Sequence, residues 1–287
     1  MSKSSILERL QGKRTALALS AGFFGFYHQA GVLRALIDAN IRPVRISGNS
    51  AGALVAGMYA AGLEPPEIRD LLLSLERKDF WDMEWPADAR GVGLLGGRRF
   101  REQLERALPV STFEECRIPL TVGAYDLDSG RVKYLSSGPL IPAVYASCAV
   151  PYLFKPAEIN GRRLWDGGFA EKTPLGPFVG RDDIDTVLIS YLPPRDRETN
   201  KRTGILRFLP HPAALFADIP NDERKERDRT AVTLLKEDGK EVISLAPPRL
   251  ALGPFTLDRA SASYEQGESG ARALIESDDP GDMPSWW

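Results

Sequence analysis

Pro43-Val-Arg-Ile-Ser-Gly-Asn-Ser-Ala-Gly-Ala-Leu-Val-Ala-Gly57 is the stretch on which the fold turns. Residues 43–47 read as a short strand, and Gly48-Asn-Ser-Ala-Gly52 then interrupts it with small residues. From Ala53 to about Ala61 the chain is apolar and helix-forming, and Gly62, with Pro65 and Pro66 beyond it, ends the helix. A strand turning sharply into a helix across G-x-S-x-G is the pattern that projects a serine from the end of a sheet. Gly48 and Gly52, two residues to either side of Ser50, leave room for so tight a bend. A strand-to-helix turn without chemistry would share these five residues, so the rest of the chain has to decide.

Working outward, Thr15-Ala-Leu-Ala-Leu19 reads as an earlier strand and Ser20-Ala-Gly-Phe-Phe-Gly25 as the loop that leaves it. Val32, Leu33, Leu36 and Ile37 then fall at helical spacing, with Asn40 as the stop. Strand, loop, helix, strand, turn, helix is the rhythm of a parallel sheet with crossover helices, which predicts an α/β fold. Further strands are expected at residues 120–125, 132–135, 186–191 and 242–245, and helices at 67–75, 98–108, 139–147 and 262–275. The segment Phe80-Trp-Asp-Met-Glu-Trp85 is aromatic and irregular, and residues 91–97 read as a glycine-rich loop.

At 287 residues, 43% of them hydrophobic and 26% charged, the chain has the composition of a globular protein with one sizeable core. The expected division is a polar segment 1–13, a core 14–192, a C-terminal part 193–275 of the same domain, and an acidic tail 276–287. That C-terminal part contains a polar insertion and a closing strand and helix. A net charge of −2 without a basic face argues against nucleic-acid binding. Cys116 and Cys148 belong to no CxxC pair or metal cluster, which suits a reduced, cytoplasmic chain. Residues 1–13 lack an apolar h-region, so no secretory leader is expected. Residues 51–63 are too few to span a bilayer, so contact with membranes is expected only peripherally, at their surface. Trp286-Trp287 suits a lipid interface or a core equally. The mixed-sign run Asp222-Glu-Arg-Lys-Glu-Arg-Asp-Arg229 reads as a solvated helix face.

A nucleophilic serine needs a base. The chain has two histidines: His28, in the aromatic stretch Phe26-Tyr-His-Gln29, reads as packed on its neighbours, and His211 lies between prolines in the polar region. His211 follows Ser50 and Asp166 in the chain order of α/β-hydrolases and so stays an alternative base. Asp166 in Leu164-Trp-Asp-Gly-Gly168 is the stronger candidate, because an apolar run that ends in Asp suggests a carboxylate at a strand end facing a crevice. Removal from water would raise its basicity. A D-G-G turn joining two strands is the competing reading. The Gly22, Phe23, Phe24 and Gly25 loop can aim backbone N–H groups at an anion, here the tetrahedral oxyanion, and it is no P-loop because no Gly-Lys-Ser/Thr follows.

The order of these motifs resembles the patatin-like phospholipases. The likeness extends to Gly31-Val-Leu-Arg-Ala-Leu36, Ser50-Ala-Gly-Ala-Leu-Val-Ala-Gly57, Asp126-Leu-Asp-Ser-Gly-Arg131, Ala146-Ser-Cys-Ala-Val-Pro151 with Phe154-Lys-Pro156, and Gly161-Arg-Arg-Leu-Trp-Asp-Gly-Gly168. The resemblance implies a three-layer α/β/α fold with a mostly parallel central sheet. It also implies hydrolysis of acyl esters in lipids through an acyl-enzyme, with no metal or organic cofactor. Ser50 would be the nucleophile, Asp166 the base, and the 22–25 loop the oxyanion hole, with Gly48, Gly52, Gly167 and Gly168 shaping the elbow and the base motif. Two departures stand out: Ser20 replaces the loop's first glycine and Phe24 its usual basic residue. A catalytically silent lipid-binding protein, and an acyltransferase or thioesterase using the same dyad, remain alternatives. Phe23, Phe24, Phe26 and Tyr27 are expected to line an acyl-chain groove or, equally, to fill core.

Overall fold

The computed structural model describes residues 4–80, 82, 95–151, 153–193, 221–253, 255–279 and 281. Its elements run α1 (Ile6–Leu10), β1 (Thr15–Leu19), α2 (Phe26–Asp38), β2 (Arg45–Gly48), α3 (Ala51–Ala60), α4 (Pro65–Ser74), α5 (Arg77–Phe80) and α6 (Arg98–Ala107). Then follow β3 (Leu120–Asp126), β4 (Arg131–Leu135), α7 (Leu140–Cys148), β5 (Ala157–Ile159), β6 (Arg162–Asp166), β7 (Thr186–Ser190), α8 (Asn221–Glu237), β8 (Glu241–Leu245) and α9 (Ala260–Ile275). The expected strand-helix rhythm is present, and the ends of the expected elements move by no more than two residues. Asn40, in the left-handed region at φ 61°, and Gly62, at φ 113°, follow the helices that they were expected to stop.

The strands form one sheet in the order β5-β6-β3-β2-β1-β7-β8, with β4 also paired to β3. The run β3-β2-β1-β7-β8 is parallel, β4 and β6 each pair antiparallel with β3, and β5 pairs antiparallel with β6. All five residues of β1 and of β7 are buried, as central strands covered on both faces require. Alternation sends Leu17, Leu19 and Leu188 to the side of α2, α3 and α9. Ala16, Ala18, Val187 and Ile189 face Phe178 and Leu235 of α8 on the other side. The result is the expected three layers.

Backbones approach closely where glycines permit it. A Cβ on Gly31 would lie 2.1 Å from the Tyr264 carbonyl oxygen, and one on Gly267 would lie 2.3 Å from that of His28, so α2 and α9 cross in contact. A Cβ on Gly52 would lie 2.2 Å from the Leu19 carbonyl oxygen, which ties the start of α3 to the end of β1. Because that clash is with backbone, Gly52→Ala is expected to cost about 2–3 kcal/mol or more of stability, read by urea unfolding. A cost within about 0.5 kcal/mol would show that the elbow is not packed this tightly.

The charged run on α8 is in large part the solvated face that was expected, with Asp222, Glu223, Glu226, Arg227 and Arg229 exposed, but Arg224 and Asp228 turn inward. Arg224, Asp228, Ala231 and Leu235 recur at helical spacing; Asp228 is 1% exposed, Arg224 is half-buried, and Leu235 and Ala231 pack into the core. Sign alternation hid this stripe because the inward residues include two charges. Trp81, Trp85, residues 91–94, the polar loop 194–202, His211, Trp286 and Trp287 lie outside the described residues. Among the described residues no helix is long and apolar enough to cross a membrane.

Candidate active site

Ser50 stands between β2 and α3 at φ 53°, ψ −119°, a backbone conformation that a residue with a side chain rarely adopts. The surroundings hold it there. Its N–H donates to Ser147 Oγ at 2.9 Å, and the Ser147 hydroxyl donates onward to the Gly123 carbonyl at 2.6 Å. Asn49 donates from its backbone to the Leu19 carbonyl at 3.2 Å and from Nδ2 to the Glu171 carbonyl at 3.0 Å. A Cβ on Gly48 would lie 2.4 Å from the Gly52 carbonyl oxygen, so the small residues at both ends of the pentapeptide are needed for the bend to close.

Asp166 ends β6 and is fully buried. Its Oδ1 accepts from the Gly168 N–H at 2.7 Å, which makes the D-G-G segment a carboxylate-holding turn rather than a hairpin between strands. Oδ2 has no hydrogen bond of good geometry, yet the Ser50 hydroxyl lies near enough to favour the ionised carboxylate. Burial pushes the Asp166 pKa up to about 7, opposed by Ser50, by the Gly168 N–H and by the positive charge of Arg224. A Cβ on Gly168 would lie 2.5 Å from Ala21 Cβ, so the base motif also touches the loop after β1.

That loop is anchored by the serine that departs from the family pattern. Ser20 Oγ accepts from the Leu192 N–H at 2.7 Å, and the Ser20 carbonyl accepts from Gln29 Nε2 at 3.2 Å. Phe24 takes φ 51°. The Gly25 N–H is engaged by the Gly22 carbonyl at 2.8 Å, which removes Gly25 from the expected set of oxyanion donors. Gly22, Phe23 and Phe24 remain in that set, because a tight turn spends the N–H of its fourth residue on its own closure.

An apolar cavity of about 70 Å³ adjoins Ser50. Phe23, Phe24 and Phe26 line one side, and Leu54, Tyr145 and Phe154 are among the residues facing them. Tyr27 is not in this lining; it is 1% exposed and belongs to the core, which corrects that part of the groove expectation. His28 is buried beside Ser263 and Pro247, away from the cavity lining, and burial pushes its pKa down to about 3. It is the packed histidine the sequence suggested. Ser147 and Asn49 were missed as holders of the elbow. Ser147 lies in a block whose likeness was visible, but a hydroxyl's partner is not legible from sequence.

The model of the patatin-like phospholipase family matches residues 17–179. An uncharacterized NTE family protein of Mycobacterium tuberculosis is 32% identical over 209 residues, covering 71% of this chain and 58% of its own length. Omega-hydroxyceramide transacylase of Mus musculus is 30% identical over 183 residues, covering 60% of this chain and 30% of its own. Lysophospholipase NTE1 of Cryptococcus neoformans is 27% identical over 186 residues, covering 64% and 12%. The chain thus spans little more than half the length of the mycobacterial relative, and far less of the other two. The crystal structure of VipD from Legionella pneumophila superposes with a TM-score of 0.57 over 92% of this chain and 66% of that one, at 13% identity, a likeness of fold alone.

Proposed function

Because the chain belongs to the patatin-like phospholipase family, we propose that it is a serine lipid acyl hydrolase with Ser50 as nucleophile and Asp166 as base. The observation that carries this is the pairing of a serine at φ 53° with a buried carboxylate that its hydroxyl helps to ionise. In the reaction Ser50 Oγ attacks the ester carbonyl while its proton passes to Asp166. The N–H groups of Gly22, Phe23 and Phe24 receive the oxyanion, each such donor contributing about 3–4 kcal/mol. As the tetrahedral species collapses, the alkoxide leaves with the proton from Asp166 and the acyl group stays on Ser50. Water then attacks the acyl-enzyme, giving its proton to Asp166, and the fatty acid departs as Ser50 regains a proton.

A fluorophosphonate probe tests the reading directly, since it phosphonylates only an activated serine. Labelling of the folded protein at Ser50 is expected. A folded protein that resists the probe at Ser50 would overturn the hydrolase and favour a lipid-binding role. Transfer of the acyl group to an alcohol is a second reading, favoured by the likeness to the mouse transacylase. Product analysis separates the two: free fatty acid marks hydrolysis, and a newly acylated alcohol marks transfer.

The apolar cavity beside Ser50 suits one acyl chain. Phe24→Ala is expected to shift the preferred ester chain length upward by widening that wall. An unchanged profile across a series of p-nitrophenyl esters would remove Phe24 from the groove.

A further inference from the structure

β1 and β7 pair as far as Leu19 and Ser190, and the chain leaves both strands where the 22–25 loop begins. The Ser20 N–H extends the ladder by donating to the Ser190 carbonyl at 3.0 Å. In a parallel ladder the Leu192 N–H would next go to the Ser20 carbonyl. It goes instead to Ser20 Oγ at 2.7 Å, while the Ser20 carbonyl accepts from Gln29 Nε2 at 3.2 Å. A side chain thus takes over a main-chain rung, at the position where this sequence departs from the glycine of the family pattern.

The carbonyl of Leu192 is held by Lys172, from the segment that follows Asp166. Lys172 Nζ donates to it at 2.5 Å and stands 3.8 Å over the Tyr191 ring. The Lys172 carbonyl also accepts from the Ala21 N–H at 2.8 Å, so this residue grips the loop and Leu192 together. Leu192 is 1% exposed, and its side chain lies under the turn: a Cβ on either Gly22 or Gly25 would stand within 2.6 Å of Leu192 Cδ1. The Gly25 N–H closes that turn on the Gly22 carbonyl, so the turn moves as a unit and its level depends on what lies beneath it. Gly22 itself lines the cavity with Ser50. Oxyanion donors act over a narrow range, about 2.7–3.1 Å from the oxygen they receive, and a misplacement of about 1 Å costs about a hundredfold.

We propose that Ser20 and Lys172 are positioning residues for the oxyanion donors. By fixing Leu192 at its N–H and at its carbonyl, they make its side chain a floor that sets the Gly22–Gly25 turn at the level of the oxyanion formed on Ser50. This inference rests on the acyl-hydrolase reading and assigns to residues outside the cavity lining the placement of its electrostatic part.

The test sets a fatty alkyl trifluoromethyl ketone against the free fatty acid of the same chain length, each as an inhibitor of p-nitrophenyl ester hydrolysis. Ser50 Oγ adds to the ketone carbon, its proton passes to Asp166, and the ketone oxygen becomes an oxyanion that needs the loop; the acid needs only the cavity. Ser20→Ala, Lys172→Met and Leu192→Ala should each weaken the ketone about tenfold or more and the acid less than about twofold, with kcat falling and KM nearly unchanged. Adding Ser20→Ala to Leu192→Ala should cost less than about twofold more, because the hydroxyl acts through the leucine. Ketone affinity that holds in either polar variant removes that residue from the role. Ketone and acid weakening together, or effects of Ser20 and Leu192 that multiply, overturn the proposal. Should a polar variant not fold, Leu192→Val decides, since it keeps both hydrogen bonds and trims the contact under the turn. It should weaken the ketone several-fold against the acid, and an unchanged ratio overturns the floor. Failure of the underlying reading looks different: the wild type would bind the ketone no more tightly than the acid, and Ser50 would not label with a fluorophosphonate.

Discussion

Replacing Ser50 with alanine is expected to lower kcat/KM on a lysophospholipid by about ten-thousandfold or more, to the level left by binding and backbone donors alone. No other hydroxyl can substitute, because the attacking oxygen must leave a backbone held at φ 53° within reach of a buried carboxylate. Stability should change by no more than about 1 kcal/mol, since alanine keeps the Cβ and the Ser147 contact is to the backbone N–H. The hydroxyl helps to ionise Asp166, so the variant's carboxyl should titrate higher than the wild type's. Retention of more than about a tenth of the wild-type rate would mean that another residue is the nucleophile.

Asp166→Asn is the second large effect. Asparagine is nearly isosteric, and its side-chain oxygen can still accept from the Gly168 N–H, so the turn after β6 should survive. What it cannot do is take the Ser50 proton, and a loss of about a hundredfold to ten-thousandfold is expected. The pH profile supplies an independent check. The working form of the base is the carboxylate, and burial raises its pKa from 3.8 to about 7. Activity should therefore fall tenfold per pH unit below about 7 and level off above it. In Asp166→Asn the residual rate should lose that limb. A wild-type limb near the ordinary carboxylate value would show that Asp166 either is not the base or is not buried in solution.

The two substitutions probe different physical devices. Ser50 is a matter of backbone geometry, imposed by glycines at either end of a turn and by a hydroxyl clamp from α7. Asp166 is a matter of environment: the same side chain in water would be too weak a base to matter at neutral pH. Its elevated pKa is the balance of burial against the Ser50 hydroxyl, one backbone donor and one arginine. The arginine, Arg224, comes from α8.

Local sequence was sufficient for the parallel architecture, the elbow at Ser50 and the Asp166 motif. Apolar periodicity and the spacing of small residues are set by neighbours along the chain, and a Cβ forbidden at Gly52 or Gly48 leaves its mark in the residue type. Tertiary structure alone decided that the Gly25 N–H is spent within its turn, that Tyr27 faces the core, and that Arg224 and Asp228 turn inward from a run of mixed charge. It alone also joined Ser147 to the Ser50 backbone. The physical reason is the same in each case. A hydrogen bond or a field between residues a hundred or more positions apart depends on how sheet and helices are stacked, and polar side chains carry no periodic signal of the partner that stacking will give them.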